Sequence, residues 1–146
     1  MKKKSQFIIL FTVAMVVMFL VVGFSEASAQ VSVIVSSSSP NAVSKDEAKN
    51  VFSGATASWS SGTKIQVVDQ PDTETGKSFY EKFVGKPAGQ VRLQWTKLVL
   101  SGQAAAPKKL GDDDAVKKAV AADPNSIGYI KSSALDGSVK EIARVQ

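Results

Sequence analysis

The chain has 146 residues, with 18 lysines and arginines against 13 aspartates and glutamates, and neither histidine nor cysteine. Their absence removes disulfides, thiol chemistry, zinc sites of the Cys/His kind and every histidine-based triad, and with them most hydrolytic mechanisms. The formal charge of +5 falls to about +3 when the three lysines and Glu26 of the first 29 residues are set aside, a mild excess that in an exported chain does not point to nucleic acid.

Lys2, Lys3 and Lys4 form a basic start, residues 7–24 carry no charge, and Ala27-Ser28-Ala29 supplies small residues before Gln30. That order is a secretory signal peptide over 1–29, and it places the protein in the periplasm or otherwise outside the cytoplasm. An uncleaved anchor is the alternative, because about 18 apolar residues just span a bilayer. The membrane would then be met only through this segment. Residues 30–146 have the length of one domain, which without disulfides must be held by its core.

Val31-Ser32-Val33-Ile34-Val35 is β-branched and reads as a mostly buried strand. Ser36-Ser37-Ser38-Ser39-Pro40-Asn41 follows as a loop whose hydroxyls and amides could hold an oxyanion, although a plain polar connection has the same composition. Ser44-Lys45-Asp46-Glu47 is a capping box and opens a helix that buries Ala48, Val51 and Phe52 and ends at Gly54 in a left-handed conformation. Trp59 is expected to plug the core beneath the Ser60–Thr63 turn. Lys64–Val68 is the next strand. Beyond the polar loop that follows it, a helix carries Phe79, Phe83 and Val84 on one side and stops at Gly85-Lys86-Pro87.

A further helix over Val91–Leu100 is expected to bury Leu93, Trp95, Leu98 and Val99. Gln103–Lys109 reads as a linker-like turn. Asp112, Asp113 and Asp114 sit where acidic side chains favour a helix N-terminus, at the head of Ala115–Ala122. Three consecutive aspartates diverge around a helix and lack the spacing of a calcium loop, so no metal site is assigned. Ile127–Ile130 is a short buried strand in which Gly128 marks the close approach of a neighbour, and Val139–Val145 ends the chain as an alternating edge strand. The order β-α-β-α-α-α-β-β describes an α/β domain.

The stretch from Val67 to Phe83 concentrates whatever chemistry the chain holds. A buried strand, a loop rich in hydroxyls and a helix start place free N–H groups and the positive end of the helix dipole together, which suits an anion. Thr73, Thr75, Gly76, Lys77 and Ser78 are the candidate binding residues, with Ser37, Ser38 and Ser39 as further donors. A phosphate loop of the nucleotide-binding kind is not assigned, since Pro71 stands where its first glycine belongs and has no N–H. Asp69, Asp72 and Glu74 are close in sequence, yet solvated loop acids are the plainer reading, and no catalytic residue or cofactor is assigned.

Three segments, Val51-Phe52-Ser53-Gly54 with Trp59-Ser60-Ser61-Gly62, Trp95–Gly102, and Ala121–Ile130, occur in an order that resembles the phosphate-binding proteins of bacterial ABC transporters. The chain is most similar to their short, single-lobe relatives, over about Val33 to Val139. The resemblance implies one lobe of a type 2 periplasmic binding protein, a small mixed sheet flanked by helices. The family's loop has an arginine, three residues, then Ser-Gly-Thr at a helix start. Matched on Phe79, this places Asp69 at the arginine, Thr73 at the serine, Glu74 at the glycine and Thr75 at the threonine, so two hydroxyls remain while carboxylates replace the cation and enter the site.

Two functions follow. One is an exported, non-catalytic solute-binding-like module that takes phosphate or another small oxyanion for an ABC transporter. The other is a ligand-free interaction module of the bacterial envelope that keeps the lobe for its shape and binds a transporter, sensor or envelope protein.

Overall fold

A computed structural model describes residues 29–146; the expected signal segment lies outside them apart from Ala29. Among the described residues no helix is long and apolar enough to cross a membrane. The elements are β1 Val31–Ser36, α1 Lys45–Phe52, β2 Gln66–Asp69, α2 Glu74–Phe79 running into a π-helical turn Tyr80–Val84, α3 Ala88–Leu100, β3 Lys108–Lys109, α4 Asp113–Ala122, β4 Ser126–Lys131, a 3₁₀ turn Ser132–Ala134 and β5 Val139–Val145.

One five-stranded sheet has the order β3-β2-β4-β1-β5. β2 pairs parallel with β3 and β4, and β1 pairs antiparallel with β4 and β5. The sheet is mixed, as expected, and β5 lies at its edge. β1 is buried along all six residues because both faces are covered, which is why its sequence is nearly continuous in β-branched residues. Val31, Val33 and Val35 join Phe52, Phe79, Trp95 and Tyr129 on the face covered by α1, α2 and α3. Ile34 joins Val68, Val116, Val120 and Ile130 under α4.

Local signals account for most boundaries. Ser44 Oγ accepts the Glu47 N–H at 3.2 Å and caps α1, and Asp112 Oδ1 accepts the Ala115 N–H at 2.7 Å and caps α4. Gly54 at φ +79° and Gly85 at φ +70° occupy left-handed positions at helix ends, where a Cβ would be strained. Trp59 is buried, with its indole N–H donating to the Asn125 carbonyl at 3.1 Å. Gly128 lies where α4 crosses the sheet: a Cβ there would come within 2.9 Å of Val120 and 3.0 Å of Val116.

Three expectations need correction. Gln103–Lys109 is not only a turn, since Lys108 and Lys109 pair with Val68 and Asp69 to form β3; two lysines carry little strand propensity, and the pairing is made by the neighbouring strand. Leu93 is not in the core and is 60% exposed. At about 100° per residue it lies on the far side of α3 from Val91 and Trp95, which are the residues that side buries. Finally, α3 begins at Ala88 rather than Val91, with Pro87 at its N-cap position, two residues after Gly85 has ended the preceding turn.

Candidate functional site

The end of β2 turns sharply into α2 through bonds made within the loop. Thr73 caps α2, its Oγ1 accepting the Gly76 N–H at 3.0 Å while its own O–H donates to the Gln70 carbonyl at 2.8 Å. Helix and strand end approach so closely that a Cβ on Gly76 would lie 2.1 Å from the Gln70 carbonyl oxygen. Glycine is required here by distance, since the backbone of Gln70 fills the space a side chain would need. Gln70, 1% exposed, fastens the loop to the rest of the fold: its Nε2 donates to Asp113 Oδ1 at 2.7 Å and to the Tyr129 carbonyl at 2.9 Å.

Asp69 lies under this loop and is buried. Tyr80 donates its hydroxyl to Oδ2 at 2.9 Å and Tyr129 donates to Oδ1 at 2.5 Å. The Tyr129 oxygen in turn accepts the Gln70 N–H at 3.1 Å. Burial pushes the Asp69 carboxyl above its ordinary range, opposed by the tyrosine hydroxyls, the Gln70 amide and the Lys109 charge. Burial and the Asp69 charge also push both phenols up, so they remain protonated donors. The π turn begins at Tyr80, and such a turn redirects side chains relative to an α-helix. The ring stack of Phe79 on Tyr129, 3.9 Å between centroids, holds the sheet end of the cluster in place.

The sequence-derived candidates divide into two groups. Thr73, Thr75, Gly76, Lys77 and Ser78 lie together on the first turns of α2. Thr75 is 5% exposed and its hydroxyl makes no hydrogen bond among the described residues. Lys77 is exposed and pairs with Glu74 at 3.7 Å, a surface contact worth little. Ser37, Ser38 and Ser39 are not brought to this loop. Val35 and Val67 both stand opposite Ile127 on β4, but β1 runs antiparallel to that strand and β2 parallel to it. Their C-terminal loops therefore emerge at opposite ends of the sheet. The serine turn is instead closed on itself, with Ser36 and Ser38 hydroxyls 2.9 Å apart and the Ser39 N–H on the Ser36 carbonyl at 3.0 Å.

Sequence reasoning did not single out Gln70, Tyr80, Asp113 or Tyr129. One signal was available: Tyr129 sits in the apolar stretch Ile127–Ile130 and Tyr80 at helical spacing beside Phe79, Phe83 and Val84, and a buried phenol needs a partner. On the other side of Asp69, α3 and the β2–β3 edge enclose a groove of about 340 Å³ whose lining includes Val67, Asp69, Tyr80, Arg92, Trp95 and Lys109.

No family model matches the sequence, and no curated protein matches it either. Solved structures do match the fold. A Clostridium perfringens protein described as a phosphate ABC transporter substrate-binding protein, with bound phosphate, aligns over 78% of this chain and 45% of its own, at 21% identity and a TM-score of 0.59. PstS from Borrelia burgdorferi aligns over 79% and 47%, at 13% identity and a TM-score of 0.57. An ABC-type phosphate transport receptor from Vibrio cholerae aligns over 78% and 46%, at 16% identity and 0.51. This is the fold of one phosphate-binding-protein lobe. The chain spans about half the length of the structures it matches.

Proposed function

We propose that the protein is an exported, non-catalytic solute-binding-like module that takes a small oxyanion at Thr73, Thr75, Gly76, Lys77 and Ser78. The observation that carries this reading is the strand–loop–helix junction itself, set in a fold shared with proteins described as phosphate-binding. Within it Thr75 is 5% exposed as a residue, and its hydroxyl makes no hydrogen bond among the described residues at the start of α2, where backbone donors favour an anion. Export rests on the basic, apolar and small-residue order of residues 1–29.

The ligand is singly charged on this reading. Asp69 and Glu74 stand at positions that the resemblance gives to an arginine and a glycine, and like charges near 4 Å oppose each other by about 1 to 4 kcal/mol depending on solvent. Isothermal titration of the purified protein with phosphate, sulfate and small carboxylates, repeated on Thr75→Ala, tests it. Binding weakened by Thr75→Ala supports the site, and failure of every anion at millimolar concentration sinks it.

The second reading, a ligand-free module that contacts a transporter, sensor or envelope protein, is favoured by one specific observation. Thr73 and Gly76 already satisfy each other and both Asp69 oxygens are taken by tyrosines, so part of the anion cradle is filled by the protein's own groups. Recovery of a partner by affinity capture from envelope extracts, together with a blank titration, would rank this reading first.

A further inference from the structure

We propose that the groove between α3 and the β2–β3 edge is a separate binding site for a small amphipathic anion, an apolar body carrying one carboxylate. Its volume of about 340 Å³ falls within the range of small-molecule pockets. At about 30 Å³ per water-sized group it has room for roughly ten non-hydrogen atoms. The walls are apolar along Val67, Val91, Trp95 and Val99, and Leu100, 83% exposed, stands on the rim. An apolar hollow beside an exposed leucine gains from being filled, because covering it removes apolar surface from water.

The charged groups among the lining residues decide the charge of the occupant. Arg92 and Lys109 line the groove together with Asp69 and Tyr80; Lys109 stands opposite Asp69 in the β2–β3 pairing, and Tyr80 donates to Asp69. Asp69 is not a free acceptor for an amine, because Tyr80 and Tyr129 each donate to one of its oxygens. The cations are less committed. Arg92 meets Asp72 only at 4.0 Å with both side chains largely exposed, and Lys109 has no ion pair within 4.0 Å among the described residues. Among the charged residues that line the groove, two cations and one carboxylate already hydrogen-bonded by tyrosines leave a net single positive charge, with Asp72 outside the lining, so a monoanion suits the site better than an amine or a dianion.

Octanoate, octanol and octylamine share one chain and differ in head-group charge. Trp95 lines the groove, so its emission reports binding, with isothermal titration as an independent measure. Octanoate should bind more tightly than octanol, and octylamine most weakly. The double variant Arg92→Gln/Lys109→Gln, at two exposed positions, should weaken octanoate at least tenfold and leave octanol within about twofold. Thr75→Ala should leave octanoate unchanged, and the double variant should leave phosphate titration unchanged, which separates this site from the α2 loop. The proposal is overturned if octanoate does not bind at millimolar concentration, if octylamine binds as well, or if the double variant has no effect. It is also overturned if sedimentation shows the groove closed by a second copy of the chain.

Discussion

Tyr129, from the middle of the sheet, donates its hydroxyl to Asp69 at 2.5 Å, joining two parallel neighbouring strands through their side chains at the end where the loop leaves. The same oxygen accepts the Gln70 N–H, so one phenol satisfies a buried acid and a buried amide. Tyr129→Phe strands both and should destabilise by about 3 kcal/mol, at the upper end for unsatisfied buried groups. Tyr80→Phe strands only one oxygen and should cost about 1 kcal/mol. Urea unfolding at neutral pH measures both, and an equal or reversed order would contradict the double role of Tyr129.

The acids respond to pH with opposite signs. Asp69 has its folded carboxyl raised from 3.8, first by burial, so the stability it contributes is complete below the unfolded value and is lost as pH rises through the folded one. Asp136, hydrogen-bonded by Lys117, and Glu141, hydrogen-bonded by Arg144, are lowered. Their contributions are present above the unfolded values and are lost as pH falls. Asp69→Asn should therefore gain on the parent as pH is raised from 4 to 7, while Asp136→Asn should fall behind between pH 2 and 5. Urea midpoints across this range test both slopes.

Gly76 and Gly89 both lie in helices, where alanine is ordinarily preferred by about 1 kcal/mol. At Gly76 the added methyl would meet the Gln70 carbonyl oxygen at 2.1 Å, whereas at Gly89 nothing lies within 4 Å. Gly76→Ala should destabilise by at least about 3 kcal/mol, through overpacking against backbone that cannot yield. Gly89→Ala should be neutral or stabilising by up to about 1 kcal/mol. Thermal unfolding of the two variants gives the comparison directly.

Thr73 and Thr75 separate stability from binding. Thr73→Ala removes the α2 cap and should cost about 1 kcal/mol. Thr75→Ala removes a hydroxyl with no internal partner among the described residues, so stability should change by less than about 1 kcal/mol while oxyanion affinity falls. Chemical unfolding beside titration of the same two preparations tests the split. Loss of stability in Thr75→Ala alone would assign that hydroxyl a structural role.

What the sequence decided by itself was local. Ser44 and Asp112 cap their helices, Gly54 and Gly85 end theirs, and Gly128 admits α4, because caps, left-handed glycines and runs of β-branched residues act through neighbours a few positions away. The tertiary structure decided whatever joins distant segments. Lys108 and Lys109 form a strand only because β2 lies beside them. Leu93 faces out because α3 turns Val91 and Trp95 inward. The serine turn is separated from Thr73–Ser78 by the antiparallel direction of β1. Asp69, read in the sequence as a misplaced loop charge, becomes the acceptor for two tyrosines 11 and 60 residues away, a pairing that exists only once the sheet and the π turn have brought three separate stretches of chain to one point.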